Sequence, residues 1–323
     1  MEKQFVVGID IGGTNTELGV VNSAGEILAR DSFYTKKNNE GHYDTVAEYL
    51  AVLIPKLNKL IESFGGKSNF KGIGLGAPNA NYNTGKIVDT PNIKWAKGIE
   101  VPMADMITEA TGLECKITND ANAAAIGEMK YGVAKGKTDF IMITMGTGVG
   151  SGIVSGGNLI SGYDGNAGEL GHSVSVRNGR PCGCGGFGHL ETYASAPGIV
   201  RTALELLETK KDTPSSLRDI PAEKMESKNI AEAAEKGDKI AIEAFEFTGK
   251  IMGEAFANFV AFSRPEFFVL FGGPAKAFPL FEKSLLDNMN KNLMPVFRGK
   301  IKVVLSELKS ADAAILGASA LVA

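Results

Sequence analysis

The sequence predicts an α/β protein made of two copies of one structural unit, and three observations carry that expectation. Strand and helix signals from Phe5 onward read in the order βββαβαβ, and a similar order begins again at Asp139. Each copy has a glycine turn directly after its first strand, Gly12-Gly13 in one and Gly146-Thr147-Gly148 in the other. The chain has 323 residues, beyond the roughly 250–300 at which a single hydrophobic core stops growing.

In the first copy, Phe5 to Ile9 is an apolar run that reads as a buried strand, and Glu17 to Val21 follows as a second. Asn22-Ser23-Ala24-Gly25 supplies turn chemistry before a third strand, Glu26 to Tyr34, so three strands with short links form an antiparallel meander. Thr45 with Glu48 has the form of a capping box. Val46, Leu50, Leu53, Leu57, Leu60, Ile61 and Phe64 then recur at helical spacing until Gly65-Gly66. Lys71 to Gly76 returns to strand, a helix runs from Pro102 to Gly112, Glu114 to Thr118 is a strand, and a helix continues to Tyr131.

In the second copy, Phe140 to Met145 and Ser151 to Val154 are strands around the glycine turn. After a long insertion come a helix (Asp238 to Ser263), a strand (Phe267 to Phe271), a helix (Pro279 to Asn290) and a strand (Ile301 to Leu305). Ala311 to Val322 reads as a terminal helix capped by Ser310. The division expected is a small α/β domain of residues 1–120 plus a C-terminal helix 311–323, and a larger α/β domain, 121–310, carrying the insertion. With no low-complexity linker, the two are expected to pack around a cleft.

Composition narrows the function classes. Hydrophobic residues make up 44% and charged residues 22%, and the net charge is −3 with no basic block, which argues against nucleic acid or an anionic membrane as a partner. No apolar run approaches the roughly 20 residues of a membrane span. The early Asp10 and glycine pair do not fit a signal peptide. Three cysteines make a poor disulfide framework, so a cytoplasmic location is expected.

The 40 glycines cluster in loops where backbone must approach something closely. Asp10-Ile11-Gly12-Gly13-Thr14-Asn15 lies between two strands, where N–H groups can converge on a phosphate and Asp10 can hold Mg²⁺. Gly146-Thr147-Gly148 is the matching loop, and together the two suit a triphosphate; the alternative is a pair of tight β-turns. Two look-alikes fall away. Gly132 to Thr138 has three residues between its glycines where a Walker A loop needs four. Gly183, Gly185 and Gly188 match a dinucleotide fingerprint, but no strand leads into them.

Asp120 follows a strand and starts a helix, which reads either as a helix N-cap or as a carboxylate at a strand's carboxyl end. A kinase needs such a carboxylate to take the proton of a hydroxyl nucleophile. His172, Cys182, Cys184 and His189 gather two of the three histidines and two of the three cysteines into one segment. Two thiolates and two imidazoles suit tetrahedral structural Zn²⁺; the alternative is a glycine-rich loop with incidental cysteines.

Taken in order, these motifs resemble the ROK family of sugar kinases and sugar-responsive repressors. The resemblance rests on Asp10-Ile11-Gly12-Gly13-Thr14, Asn119-Asp120-Ala121-Asn122-Ala123, Gly146 to Gly150, Gly165 to His172, Cys182-Gly183-Cys184-Gly185, Leu190-Glu191 and Gly272-Gly273-Pro274. It implies an actin-like ATPase fold, two ribonuclease-H-like domains around a cleft, with Asp120 as the catalytic base. It implies Asn119, Glu169, His172 and Glu191 as sugar ligands, with Asn79 and Asn92 as further candidates, and Gly272 and Gly273 on the adenosine side. The family's commonest pattern has a third cysteine where this chain has His189. The expected activity is ATP-dependent phosphorylation of a hexose, glucose at its 6-hydroxyl first, with N-acetylmannosamine, N-acetylglucosamine, fructose and mannose as alternatives. ATP, Mg²⁺ and Zn²⁺ are the implied cofactors and a homodimer the implied assembly. The repressor branch carries a helix-turn-helix ahead of the first loop, for which a strand starting near Met1 leaves no space.

Overall fold

The three apolar runs at the start fold as an antiparallel meander of β1 (Phe5–Ile11), β2 (Asn15–Asn22) and β3 (Ile27–Tyr34). In the computed structural model, which describes residues 3–36, 41–90 and 93–323, β1 runs two residues past the expected end. Asp10 and Ile11 pair with Glu17 and Thr16, so the first glycine loop is only three residues long, Gly12 to Thr14.

Helix α1 (Val46–Ser63) buries Leu53, Leu57, Leu60 and Ile61 of the stripe its spacing predicts, leaves Val46 and Leu50 half-buried, and adds Tyr49 to the buried set. Thr45 caps it through Glu48 N–H at 3.2 Å, while Glu48 reaches back to Asp44 N–H rather than to Thr45. Pro55 lies inside the helix on its exposed face, where water can satisfy the carbonyl that loses its donor. Next come β4 (Phe70–Gly76), a small antiparallel sheet of β5 (Ala80–Asn81), β6 (Lys86–Val88) and β7 (Glu100–Val101), then α2 (Met103–Thr111), β8 (Cys115–Thr118) and α3 (Asp120–Tyr131). The main sheet has the order β3-β2-β1-β4-β8, with β1, β4 and β8 parallel.

The second sheet repeats the plan. Strands β9 (Phe140–Met145) and β10 (Val149–Ser155) pair antiparallel around the second glycine loop, and β11 (Asn158–Leu159) follows. The insertion holds three helices that went unread: α4 (Glu191–Ala194), α5 (Ala196–Thr209) and α6 (Ser227–Glu235). Then come α7 (Lys239–Ser263), β12 (Phe267–Gly272), α8 (Phe278–Asn292), β13 (Lys302–Leu305) and α9 (Ser310–Ser319). Asp238 caps α7 through the Ile240 and Ala241 N–H groups. Strands β10, β9, β12 and β13 are neighbours in that order, β12 lying parallel to both β9 and β13.

The chain divides into two compact units, Met1–Thr138 with Asn158–Ala167 and Glu307–Ala323, and Asp139–Gly157 with Gly168–Ser306. This corrects the boundary expected at residue 120. Helix α3 stays with the first unit because it packs on α9, with Gly127 against Gly317 and Tyr131 against the cluster of Val6, Val21, Ile315 and Leu316. Residues 158–167 also join it: Asn81 Nδ2 donates to the Asp164 carbonyl at 2.5 Å and Asn83 Nδ2 to that of Gly162 at 3.2 Å. Helix α9 lies so close to its sheet that a Cβ on Gly8 or Gly74 would collide with the Ile315 or Ala318 carbonyl. Among the described residues no helix is long and apolar enough to cross a membrane.

Candidate active site

The parallel strands β1, β4 and β8 end side by side, and their carboxyl ends carry the candidate residues of the first unit. Asp10 is paired with Gly76, and Ala77 N–H donates to the Thr118 carbonyl at 3.1 Å. Ligands of open α/β sheets bind outside such carboxyl ends. Burial first, and then the charges of Asp120 and Glu17, push the Asp10 carboxyl up to about 7. This crowd of carboxylates suits a divalent cation, which would relieve the repulsion.

The residue at the start of α3 decides between the two readings of Asp120. Asn119 is the N-cap: its Oδ1 accepts the Asn122 N–H at 2.7 Å. Asp120 is the first helical residue, is exposed, and among the described residues accepts from the adjacent Ala121 N–H at 2.9 Å. The capping task therefore leaves the Asp120 carboxylate to solvent and occupies the Asn119 oxygen, so Asn119 has its Nδ2 to offer a ligand. Asn79, at φ 53, donates through Nδ2 to the Asp89 carbonyl at 3.0 Å; it braces the loop beside β4. Asn92 lies outside the described residues.

Both glycine loops are partly self-bonded. Gly12 N–H donates to the Asn15 carbonyl and Gly146 N–H to that of Gly148, each at 2.9 Å. The Gly12 and Gly146 N–H groups thus shape their own turns. Gly272, at φ +109, ends β12 where any Cβ would strike the Met145 carbonyl. Beyond it a cavity of about 490 Å³, lined by Gly273, Pro274, Lys276 and, from α6, Lys228 and Glu232, has the size of a small-molecule site.

The metal-ligand segment converges as expected. His172 Nδ1 lies 3.4 Å from His189 Nδ1 and 3.8 Å from Cys182 Sγ, and Cys184 Sγ lies 3.3 Å from His189 Nδ1. All four ligand atoms fall within 4.8 Å of one another. A tetrahedron with bonds of about 2.3 Å to sulfur and about 2.0 Å to nitrogen has edges of about 3.3–3.8 Å. The three distances above fall in or near this range, and with all four atoms within 4.8 Å a small contraction would let His189 serve as a ligand in place of a third cysteine. His172 turns Nδ1 to this group and keeps Nε2 outside it.

The remaining candidates lie nearby in the second unit. Glu169 precedes the turn Leu170–His172, which Ser151 of β10 anchors by donating to the Gly168 carbonyl and accepting from Leu170 N–H at 3.1 Å. Glu191 starts α4, and its Oε2 accepts the Val149 N–H at 3.0 Å. Arg180 was missed in the sequence. It is buried, and its guanidinium donates to the Thr192 and Gly198 carbonyls at 2.8 and 3.2 Å and lies over the Tyr193 ring, pinning the metal-ligand loop to α4 and α5. Its one signal was a cation directly ahead of Pro181-Cys182.

A model described as the ROK family matches residues 6–323. The glucokinase of Halalkalibacterium halodurans is 35% identical over 326 residues, covering 100% of this chain and 96% of that protein. The glucokinase of Thermotoga maritima is 32% identical over 327 residues, covering 100% and 98%. A ROK family glucokinase from Streptomyces griseus, solved with glucose and AMPPNP, superposes with a TM-score of 0.74 at 30% identity, covering 98% of this chain and 99% of that one.

Proposed function

The chain belongs to the ROK family, and from that premise we propose that it is an ATP-dependent hexose kinase that phosphorylates glucose at the 6-hydroxyl. The observation that carries this reading is the pairing of an uncapped, exposed Asp120 with Asp10 at the carboxyl ends of parallel strands. In the proposed reaction Asp120 accepts the hydroxyl proton as the sugar oxygen attacks the γ-phosphorus. The new O–P bond forms as the bond to the β-phosphate oxygen breaks, and ADP leaves with that electron pair. Asp10 holds Mg²⁺, which when bound offsets phosphate charge.

Glu169, His172 and Glu191 are the sugar ligands we assign in the second unit, with Asn119 and Asn79 in the first. Carboxylates and amides bridge neighbouring hydroxyls, and His172 has Nε2 to offer one. Thr147 and the cavity beside Gly273 serve the nucleotide. The four Cys and His ligands hold a structural Zn²⁺ that fixes the His172 ring. A homodimer and a cytoplasmic location belong to the same reading, and light scattering tests the first.

The reading is tested by ADP release from MgATP over a panel of hexoses and N-acetylhexosamines, compared as kcat/KM. The expected result is a clear preference for glucose. Preference for an N-acetylhexosamine, fructose or mannose would keep the kinase and change its substrate. No release with any sugar, from folded and zinc-loaded protein, would turn the assignment toward a sugar-sensing role.

A further inference from the structure

The second glycine loop is fastened at both ends to one short stretch of chain. At its exit Val149 N–H donates to Glu191 Oε2 at 3.0 Å, and at its entrance the Gly146 carbonyl accepts from Ala196 N–H at 2.8 Å. A Cβ on Gly148 would collide with the Glu191 carboxylate, so loop and side chain are in direct contact. The other carboxylate oxygen, Oε1, lies 3.6 Å from Cys182 Sγ, and Glu191 begins α4 two residues after His189. One side chain therefore accepts from the glycine loop through one oxygen and lies beside the Cys182 sulfur of the Cys/His segment through the other.

From this geometry we infer that Glu191 is a positioning residue for the nucleotide, holding the phosphate loop through Val149 N–H and coupling it to the metal-ligand segment. The role is additional to a sugar contact and rests on the reading of Gly146 to Gly148 as a phosphate loop. A glycine-rich loop loses more conformational freedom on ordering than any other sequence. Fixing it before ligand arrives removes that cost from binding, and a carboxylate accepting from a backbone N–H is a charge-assisted anchor. Cys182 is buried and Glu191 half-buried, so water competes weakly for the contact.

The test compares native protein with Glu191→Ala and Glu191→Gln. Affinity for MgAMPPNP is measured by calorimetry without sugar, and amide exchange is followed at residues 146–150 in ligand-free protein. The glutamine keeps an acceptor oxygen facing Val149, and the alanine does not. Glu191→Ala should weaken MgAMPPNP about tenfold and speed Val149 exchange, while Glu191→Gln stays within about threefold of native. Unchanged nucleotide affinity and exchange in Glu191→Ala would overturn the inference, as would equal losses in both variants, which would assign the effect to charge. If Glu191→Ala melts before the assay temperature, Gly148→Ala, which pushes the carboxylate off Val149, takes its place with the same expectation. Native protein that binds no MgAMPPNP would sink the kinase reading, and the ligand-free exchange would still decide the anchor.

Discussion

Asn119 and Asp120 are adjacent polar residues at the mouth of α3, and either has the chemistry to close the helix. The cap falls to Asn119, so Asp120 contributes little to holding the helix and can be changed without unfolding it. Asp120→Asn should therefore lower kcat by about 10² or more while glucose binding, measured by calorimetry, stays close to native; near-native kcat would remove Asp120 as the base. Asp10 makes a second prediction through pH. Its folded value, about 7, lies above the usual 3.8, so between these values the folded protein holds a proton that the unfolded chain has released. That contribution to stability is fully present below the unfolded value and is lost as pH rises through the folded one. Melting curves without divalent ion should show Asp10→Asn gaining on native protein as pH rises toward 8, and added Mg²⁺ should narrow the gap. A difference independent of pH would contradict this. Asp10, Asp120 and the Cys/His set were legible in sequence because their chemistry shows in residue type and local spacing. Arg180, and the Val149 contact of Glu191, were not, since Arg180 bonds carbonyls 12 and 18 residues away and Glu191 an amide 42 residues away.

At the scale of elements, α1 is joined to β2 and to the end of β3 by a buried chain of hydroxyls. Tyr49 OH lies 2.8 Å from Thr16 Oγ1, which lies 2.9 Å from Thr35 Oγ1, and the single tryptophan, Trp95, stacks on Tyr49 at 4.3 Å. Both rings are buried. Tyr49→Phe keeps the stack and leaves Thr16 one partner short, so it should cost about 1–2 kcal/mol. Urea unfolding followed by Trp95 fluorescence measures this, and a loss near zero would mean that the Thr16–Thr35 bond suffices alone. The helical period of α1 was plain from sequence, but its polar contact was not, because Tyr49 meets Thr16, 33 residues away on another element. The small sheet β5–β7 escaped for another reason. Its strands are two or three residues long, too short for alternation to show. Helix α5 carried a visible signal, Ser195 as cap with Pro197 in the first turn, which the surrounding glycine-rich run obscured.

At the scale of the whole molecule, the two units differ in what holds their site loops. The first unit's loops spring from a main sheet backed by α9 and by an apolar core running from Val7 to Ile117. The segment from His172 to His189 in the second unit has only a three-residue turn and two isolated bridges, Val174 with His189 and Pro181 with Phe187. It also exposes Val174 and Phe187. A loop with so little regular structure depends on cross-links, here Arg180 and the four convergent ligand atoms. Metal bound only by the folded segment stabilises it by mass action. Exhaustive chelation, verified by elemental analysis, should therefore lower Tm and raise the KM for glucose through His172. It should speed amide exchange across residues 168–198, where β1, β4 and β8 keep their protection. An unchanged KM would break the link between metal and sugar geometry, and exchange that rises equally in the first unit's sheet would show that the metal supports more than its own loop. His189→Cys restores the commoner ligand set of the family and should keep one zinc per chain with native exchange, because a thiolate at this position suits the same tetrahedral metal.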